Sequence, residues 1–284
     1  MTSRFSATGP LLGYIYQVLY ALLLLLEDDR DECLLSIERL DDVAFETNGS
    51  PSELLQLKHH RQSEASLADT SPDLWKTLRI WSEEVFRQQY DPSELRLTLI
   101  TTASAKENTI ASLLRNDHKR NVADATNKLV EVANNSINRG LASAFDAFLA
   151  LSKHQREQLI TAVYIVDSSP NIVDLPQKIK RKLLGVHPDY RNGAYEQIEG
   201  WWFDKAVKHL SDTLPSTISR EELEYKISDI AQQYGESVLP IHFGPSTGIE
   251  PSIPLDADQR MFVEQLRVIG LSPERGSSAL NREH

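Results

Sequence analysis

The hydrophobic pattern of this chain changes period repeatedly, and each change marks an element. Ile15 to Leu26 is almost unbroken apolar sequence that ends in five leucines. With Gly9-Pro10 ahead of it, this run predicts a helix over Leu11–Glu27 that is apolar on nearly all faces. Such a helix must be buried against something wide, such as a sheet. The run is shorter than the roughly 20 residues a membrane-spanning helix needs. Its Glu27-Asp28-Asp29 flank also lacks the small-residue cleavage site of a secretory signal. A buried core helix and no membrane partner are the expectation.

Short β patterns follow. Cys33–Glu38 and Val43–Glu46 read as two strands joined through Leu40-Asp41-Asp42, and Leu54–Lys58 as a third after the turn signal Asn48-Gly49-Ser50-Pro51. Ser71-Pro72 then opens a helix to about Tyr90, with Trp75, Leu78, Trp81, Val85 and Phe86 on one stripe. Leu95–Thr101 is a strand. Residues 105–160 predict three or four helices, and Thr161–Val166 returns to β pattern. Helices are expected at about 174–185 and 193–213, and from the Ser219-Arg220-Glu221-Glu222 capping box to Tyr234. Pro and Gly then recur to Pro254, before a short helix near 256–268 and a polar tail from Ser272. The expected architecture is α/β: a restriction-endonuclease-like mixed sheet flanked by helices over residues 1–170, and a mainly α-helical partner-binding region over 171–284.

Composition narrows the classes. The 284 residues carry 30 Lys plus Arg against 41 Asp plus Glu, a formal net charge of −11. A binder held on nucleic acid by a global positive field is thereby excluded. The single cysteine, Cys33, excludes an intramolecular disulfide framework and points to a reducing, cytoplasmic setting. Local basic patches are confined to His118-Lys119-Arg120 and Lys178–Lys182, where either backbone contact with DNA or a solvated helix face would account for them.

The segment with chemical content is Ile37-Glu38-Arg39-Leu40-Asp41-Asp42-Val43, followed fourteen positions after Asp42 by Gln56-Leu57-Lys58. Metal-dependent nucleases need a carboxylate on one strand and an oxygen ligand on the next. They also need a lysine two positions on, which alternation places on the same face. Mg²⁺ prefers oxygen and keeps several waters, so few protein ligands suffice. Asp42, Gln56 and Glu38 are the candidate side-chain ligands, with the Leu57 carbonyl as a fourth. Glu38, Asp42, Gln56 and Lys58 are the candidate catalytic set. Gln17, Asp41 and His60 are accessory candidates, and either Asp41 or Asp42 could face the metal. An acidic hairpin turn beside a snorkelling lysine is the alternative reading of the same pattern.

Four stretches in this order carry a resemblance: Gly13-Tyr14-Ile15-Tyr16-Gln17, Ile37–Val43, Gln56-Leu57-Lys58-His59-His60, and Leu74-Trp75-Lys76-Thr77-Leu78-Arg79. Together they resemble the PD-(D/E)xK double-stranded-DNA nuclease effectors of bacterial anti-phage defence, known from CBASS. The likeness is strongest to the Lamassu, or ABC-three-component, branch, whose C-terminal region Gly200-Trp201-Trp202-Phe203 also resembles. That resemblance implies an Mg²⁺- or Mn²⁺-dependent DNA endonuclease acting as the effector of a complex. Its partners would be double-stranded DNA, an SMC/Rad50-like ATPase that holds it inactive and a third small subunit, and release would let it form an active homo-oligomer. It further implies that Asp42 is the metal carboxylate, Gln56 the second ligand in place of the usual acid, Lys58 the catalytic lysine, and Gln17 a helix glutamine facing the site. A non-catalytic subunit that keeps the fold and scaffolds the ATPase is the competing expectation.

Overall fold

A computed structural model describes residues 7–30, 32–60, 65–211 and 217–234. The expected helix near 256–268 and the polar tail lie outside these residues. All of the described residues belong to one compact unit, Met1–Val238.

Helix α1 (Thr8–Glu27) leads into an antiparallel meander of β1 (Leu34–Ile37), β2 (Val43–Thr47) and β3 (Ser50–Lys58). Asn48 and Gly49 both adopt positive φ, 53° and 76°, which is the backbone of a tight two-residue hairpin turn. Helix α2 (Pro72–Arg87) crosses to β4 (Arg96–Thr101), which lies parallel to β3. The helices α3 (Ile110–Leu113), α4 (Val122–Asn135), α5 (Ala142–Ala150) and α6 (Lys153–Ala162) then lead to β5 (Val163–Val166), parallel to β4. Finally come α7 (Leu175–Lys182), α8 (Arg191–Leu210), a two-residue strand β6 (Ile218–Ser219) and α9 (Arg220–Gln233). The sheet order is β5-β4-β3-β2-β1-β6, parallel on one side of β3 and antiparallel on the other. The fold is a mixed six-stranded α/β sheet flanked by helices with a helical C-terminal region, as the sequence pattern indicates.

Alternation along the strands divides the interior in two. Leu35, Ile37, Val43, Phe45, Leu55, Leu57 and Ile100 face a core shared with α1, α7, α8 and α9. Ala44, Leu54, Leu97, Leu99, Val163 and Ile165 face the other, under α2 and α4–α6. Helix α1 is long and apolar enough to cross a membrane by length and composition. It serves here as the central helix of a layer, with Tyr16, Val18–Leu23 and Leu25 buried. Its near-uniform apolar surface follows from having the sheet on one side and α7 and α8 on the others.

The boundary expected at residue 170 falls inside this unit. Leu175, Ile179, Ile198 and Trp202 share one core with α1. The Trp202 indole N–H donates to the Val18 carbonyl at 2.7 Å. Trp202 is therefore fully buried in the core. The neighbouring Trp201 and Phe203 are half-buried against the same core.

Candidate active site

The site grows out of the β1–β2 connection. Ladder pairing of β2 with β3 runs from Thr47↔Ser50 to Val43↔Leu55 and stops there. Beyond it the Leu57 amide donates to a side chain, the Asp42 carboxylate, at 2.8 Å. Gln56 and Lys58 take the parity of Leu54 and so face the α2 side. Lys58 Nζ donates to Gln56 Oε1 at 2.7 Å and lies 3.5 Å from Asp42 Oδ2. The Gln56 amide nitrogen donates to both acids, Asp41 and Asp42, the latter at 3.2 Å.

The structure separates the two aspartates. Asp42 faces Lys58 and the Glu38 carboxylate. Asp41 turns inward, where the Trp81 indole N–H donates to it at 2.9 Å and the Asp42 amide at 3.0 Å. Burial pushes the Asp41 carboxyl up to about 6, the nearby Asp42 adding to the effect, against the lowering pull of its Gln56 and Trp81 bonds. Glu38 is also raised, by burial first and by the charge of Asp42 second, while Lys58 and a bond from Gln17 oppose the rise.

Glu38 sits at φ 55°, in the left-handed region that costs a non-glycine residue about 1–2 kcal/mol. Its amide closes the turn onto the Asp42 carbonyl at 3.1 Å. Glu38→Gly is accordingly expected to stay within about 1 kcal/mol of wild-type stability, because relief of strain offsets the entropy glycine adds to the unfolded chain. The same variant should lose Mn²⁺ binding. Thermal denaturation alongside an Mn²⁺ titration checks both, and retained binding would remove Glu38 from the site.

Among the described residues, no group of three or more His, Cys, Asp or Glu side chains is placed to hold a metal. What the cluster offers is two carboxylates, Glu38 and Asp42, and the amide oxygen of Gln56, with the Gln17 amide donating to Glu38. Gln17 Oε1 is buried with no hydrogen-bond partner. Two crowded carboxylates with the Gln56 amide oxygen next to them suit a hard cation that keeps some of its waters. These residues fit Mg²⁺ or Mn²⁺. Leu57 contributes its amide to orienting Asp42, and its carbonyl is the least supported of the candidate ligands.

The remaining candidates are placed as follows. His60 Nε2 meets Asp73 Oδ2 of α2 at 2.5 Å, and its backbone is tied to Thr102 and Asn171. His59 contacts Asn171 and packs on the Tyr16 ring. These two histidines join the strand end to α1 and α2. Asp73 and Trp81 are the neighbours that sequence reasoning did not bring to the site, Trp81 because it reads as one more apolar position on a helical stripe. Arg120 is held by the Leu114 and Thr161 carbonyls and covers the Tyr164 ring, so it is a packing group. On α7, Lys182 pairs with Glu27 and Lys180 with Asn192, leaving Lys178 and Arg181 exposed. Buried Cys33 is pushed up to about 12 by burial and is chemically quiet.

Without metal, Asp41 gives stability a definite pH dependence. A carboxyl raised in the folded state stabilises fully below its ordinary value near 3.8, and that contribution is lost as pH rises through about 6. The span amounts to about 3 kcal/mol at the usual conversion. In EDTA, wild type should therefore lose stability relative to Asp41→Asn between pH 4 and pH 7. Parallel denaturation curves for the two proteins across that range would contradict it.

No protein-family model matches the chain, and no curated protein matches it. It is similar to solved structures of Cap4 SAVED/CARF-domain containing receptors. The Moraxella osloensis receptor is 14% identical, with 78% of this chain and 48% of that chain covered and a TM-score of 0.48. The Acinetobacter baumannii receptor with the cyclic trinucleotide 2'3'3'-cAAA is 12% identical, covering 78% and 45%, with a TM-score of 0.43. The same receptor with 3'3'3'-cAAA gives 13%, 82%, 47% and 0.43. The chain spans less than half the length of each receptor.

These findings correct the expectation drawn from the four motifs. The solved structures it is similar to are described as SAVED/CARF-domain receptors, and no nuclease family model matches the chain. Membership of that nuclease family is withdrawn. So is the role of a Lamassu-like effector held by an SMC-like ATPase and activated by release and oligomerisation. The reason is that function and family are not contained in fold-level likeness, so four short motifs do not carry a family assignment. They define a local arrangement and not a lineage.

Proposed function

We propose that the Glu38–Asp42–Gln56–Lys58 cluster is a divalent-cation centre that hydrolyses phosphodiester bonds, with DNA as its substrate. The cation-centre reading rests on the geometry of the site, and DNA is the substrate to be tested. The observation that carries it is the convergence of Asp42, Gln56 Oε1 and Lys58 Nζ on one sheet face, with Glu38 beside them. Glu38, Asp42 and Gln56 would hold Mg²⁺ or Mn²⁺. The cation, when bound, supplies charge to the scissile phosphate and lowers the pKa of water. Lys58 lies where it can hold the attacking water or a phosphate oxygen, and the Leu57 amide keeps Asp42 turned toward it. The first 70 residues carry twelve acidic and five basic side chains. A cation-free site therefore repels a phosphate backbone, and DNA binding should depend on metal.

The test is incubation of the purified chain with plasmid and linear duplex in Mg²⁺, Mn²⁺ or EDTA, beside an Mn²⁺ titration followed by calorimetry. Metal-dependent cleavage supports the reading. Absence of both cleavage and Mn²⁺ binding would overturn it. A cyclic trinucleotide titration belongs in the same series, because the Acinetobacter baumannii receptor is described with such ligands. An open groove on the C-terminal helices is lined by Glu221, Glu222, Asp229 and Lys226 with Trp201 and Tyr225. Its carboxylates disfavour an anion, so no binding is expected there.

A further inference from the structure

We propose that Asp41, held by the Trp81 indole, is the positioning residue that fixes the Gln56 amide so that its oxygen points at Lys58 and the cation site. The orientation follows from donors and acceptors alone. An amide presents two N–H donors on one side and an oxygen on the other, and which is which must be read from its partners. The nitrogen of Gln56 meets two acids, Asp41 and Asp42, and its oxygen receives Lys58 Nζ at 2.7 Å. Flipping the amide would press an oxygen against two carboxylates and an NH₂ group against an ammonium. No other arrangement of this side chain satisfies all three neighbours.

Asp41 can play this part because it is itself immobilised. Trp81 Nε1 donates to one of its oxygens at 2.9 Å, and the Asp42 amide donates to the other at 3.0 Å. Trp81 is fully buried on α2 and cannot turn away. The chain of bonds thus runs from an indole in the core, through Asp41, through the Gln56 amide, to Lys58. It explains how a glutamine sits between two acids with its oxygen turned away from both. A glutamate in place of Gln56 would meet Asp41 and Asp42 as a third carboxylate, whereas glutamine turns the nearby acids into the partners that aim its oxygen. The meaning of that oxygen as a cation ligand rests on the proposed function, but its orientation does not.

The experiment is a cycle of Gln56→Glu, Asp41→Asn and the double variant in the full chain. Thermal midpoints are read in EDTA near pH 8, and Mn²⁺ affinity by calorimetry. Gln56→Glu alone should lower the midpoint by crowding three carboxylates. Asp41→Asn alone should also lower it, by setting an NH₂ group against one of its donors. In the double variant the amide introduced at position 41 donates to the carboxylate introduced at position 56, which still accepts from Lys58. Part of the combined loss should therefore return. Recovery is partial because the Asp42 amide loses its acceptor. If the two losses simply add, the positioning role is overturned.

Trp81→Phe supplies the readout that packing alone would not move. Loss of an outer partner of this kind typically weakens metal binding about tenfold, and that is the effect expected on Mn²⁺. Trp75→Phe is the control. Trp75 is equally buried on the same helix, but its indole donates at 2.7 Å to the Asp69 carbonyl. It should lower the midpoint and leave Mn²⁺ affinity unchanged. Equal weakening of Mn²⁺ by both variants would overturn the relay. If wild type binds no Mn²⁺ at all, the cation reading falls, and the thermal cycle alone decides the orientation.

Discussion

Lys58→Met is expected to reduce metal-dependent cleavage of duplex DNA by at least about a hundredfold, the usual scale for loss of a charged group aimed at the reacting phosphate. The fold should survive. Lys58 is the last residue of β3, its side chain keeps about a quarter of its surface exposed, and its stem packs beside the strand end. Methionine retains the stem and removes the charge. The change leaves the Gln56 oxygen without its 2.7 Å donor and the Asp42 carboxylate without its cationic neighbour. Both losses are repaired when a divalent cation binds. The variant should therefore bind Mn²⁺ as well as wild type does, or more tightly, while failing to cleave. Asp42→Asn should show the opposite signature, with binding and cleavage lost together, and Asp41→Asn should fall between them. Cleavage at the wild-type rate by Lys58→Met would remove the lysine from the mechanism and with it the strongest reason to read the cluster as hydrolytic.

Much of this arrangement is legible before the fold is known, and the boundary of legibility has a physical cause. Alternation fixes that Gln56 and Lys58 share a face, and Asn48-Gly49 fixes the hairpin that brings β2 against β3, so the trio is accessible from local rules. The choice between Asp41 and Asp42 is not, because both lie in the turn beyond the ladder. It is decided by Trp81, which is forty residues away and is chosen by helix packing. β6 escapes the pattern for a similar reason. Two residues carry no period, and Ile218-Ser219 become a strand only because β1 leaves an edge to pair with. β5 starts two residues later than its pattern indicates, because Thr161 and Ala162 fit a strand but complete the last turn of α6. The Ser219 cap is readable, since its hydroxyl accepts the Glu222 amide at 3.1 Å. The reciprocal bond of a capping box is not, because Glu222 pairs with Lys205 instead. The family assignment fails at a different level. Motif order describes what meets at one end of a sheet, and lineage is not contained in it.

Trp202→Ala is expected to cost about 3–5 kcal/mol, the range for truncating a fully buried aromatic ring. Trp202→Phe should recover most of that and isolate the hydrogen bond, worth about 1 kcal/mol net where both partners are neutral. The donor is the indole and the acceptor is the Val18 carbonyl in the middle of α1, at 2.7 Å. The bond therefore ties the C-terminal helices to the helix under the sheet. Leu175, Ile179, Ala194, Ile198 and Ala206 complete the same contact. A fragment ending at residue 170 would leave Val18–Leu25 of α1 facing water on the side that α7 and α8 cover. It would also leave β1 as an open edge without β6, and an apolar helix beside an unpaired strand is a template for association. Residues 1–170 are thus expected to aggregate or to lack a cooperative unfolding transition, whereas the full chain unfolds cooperatively. Circular dichroism with thermal ramping and light scattering compares the two directly. A fragment that stays monomeric and unfolds with a sharp midpoint would show that α7–α9 decorate a self-sufficient domain. It would restore the boundary at residue 170 and leave Trp202 as a local packing residue.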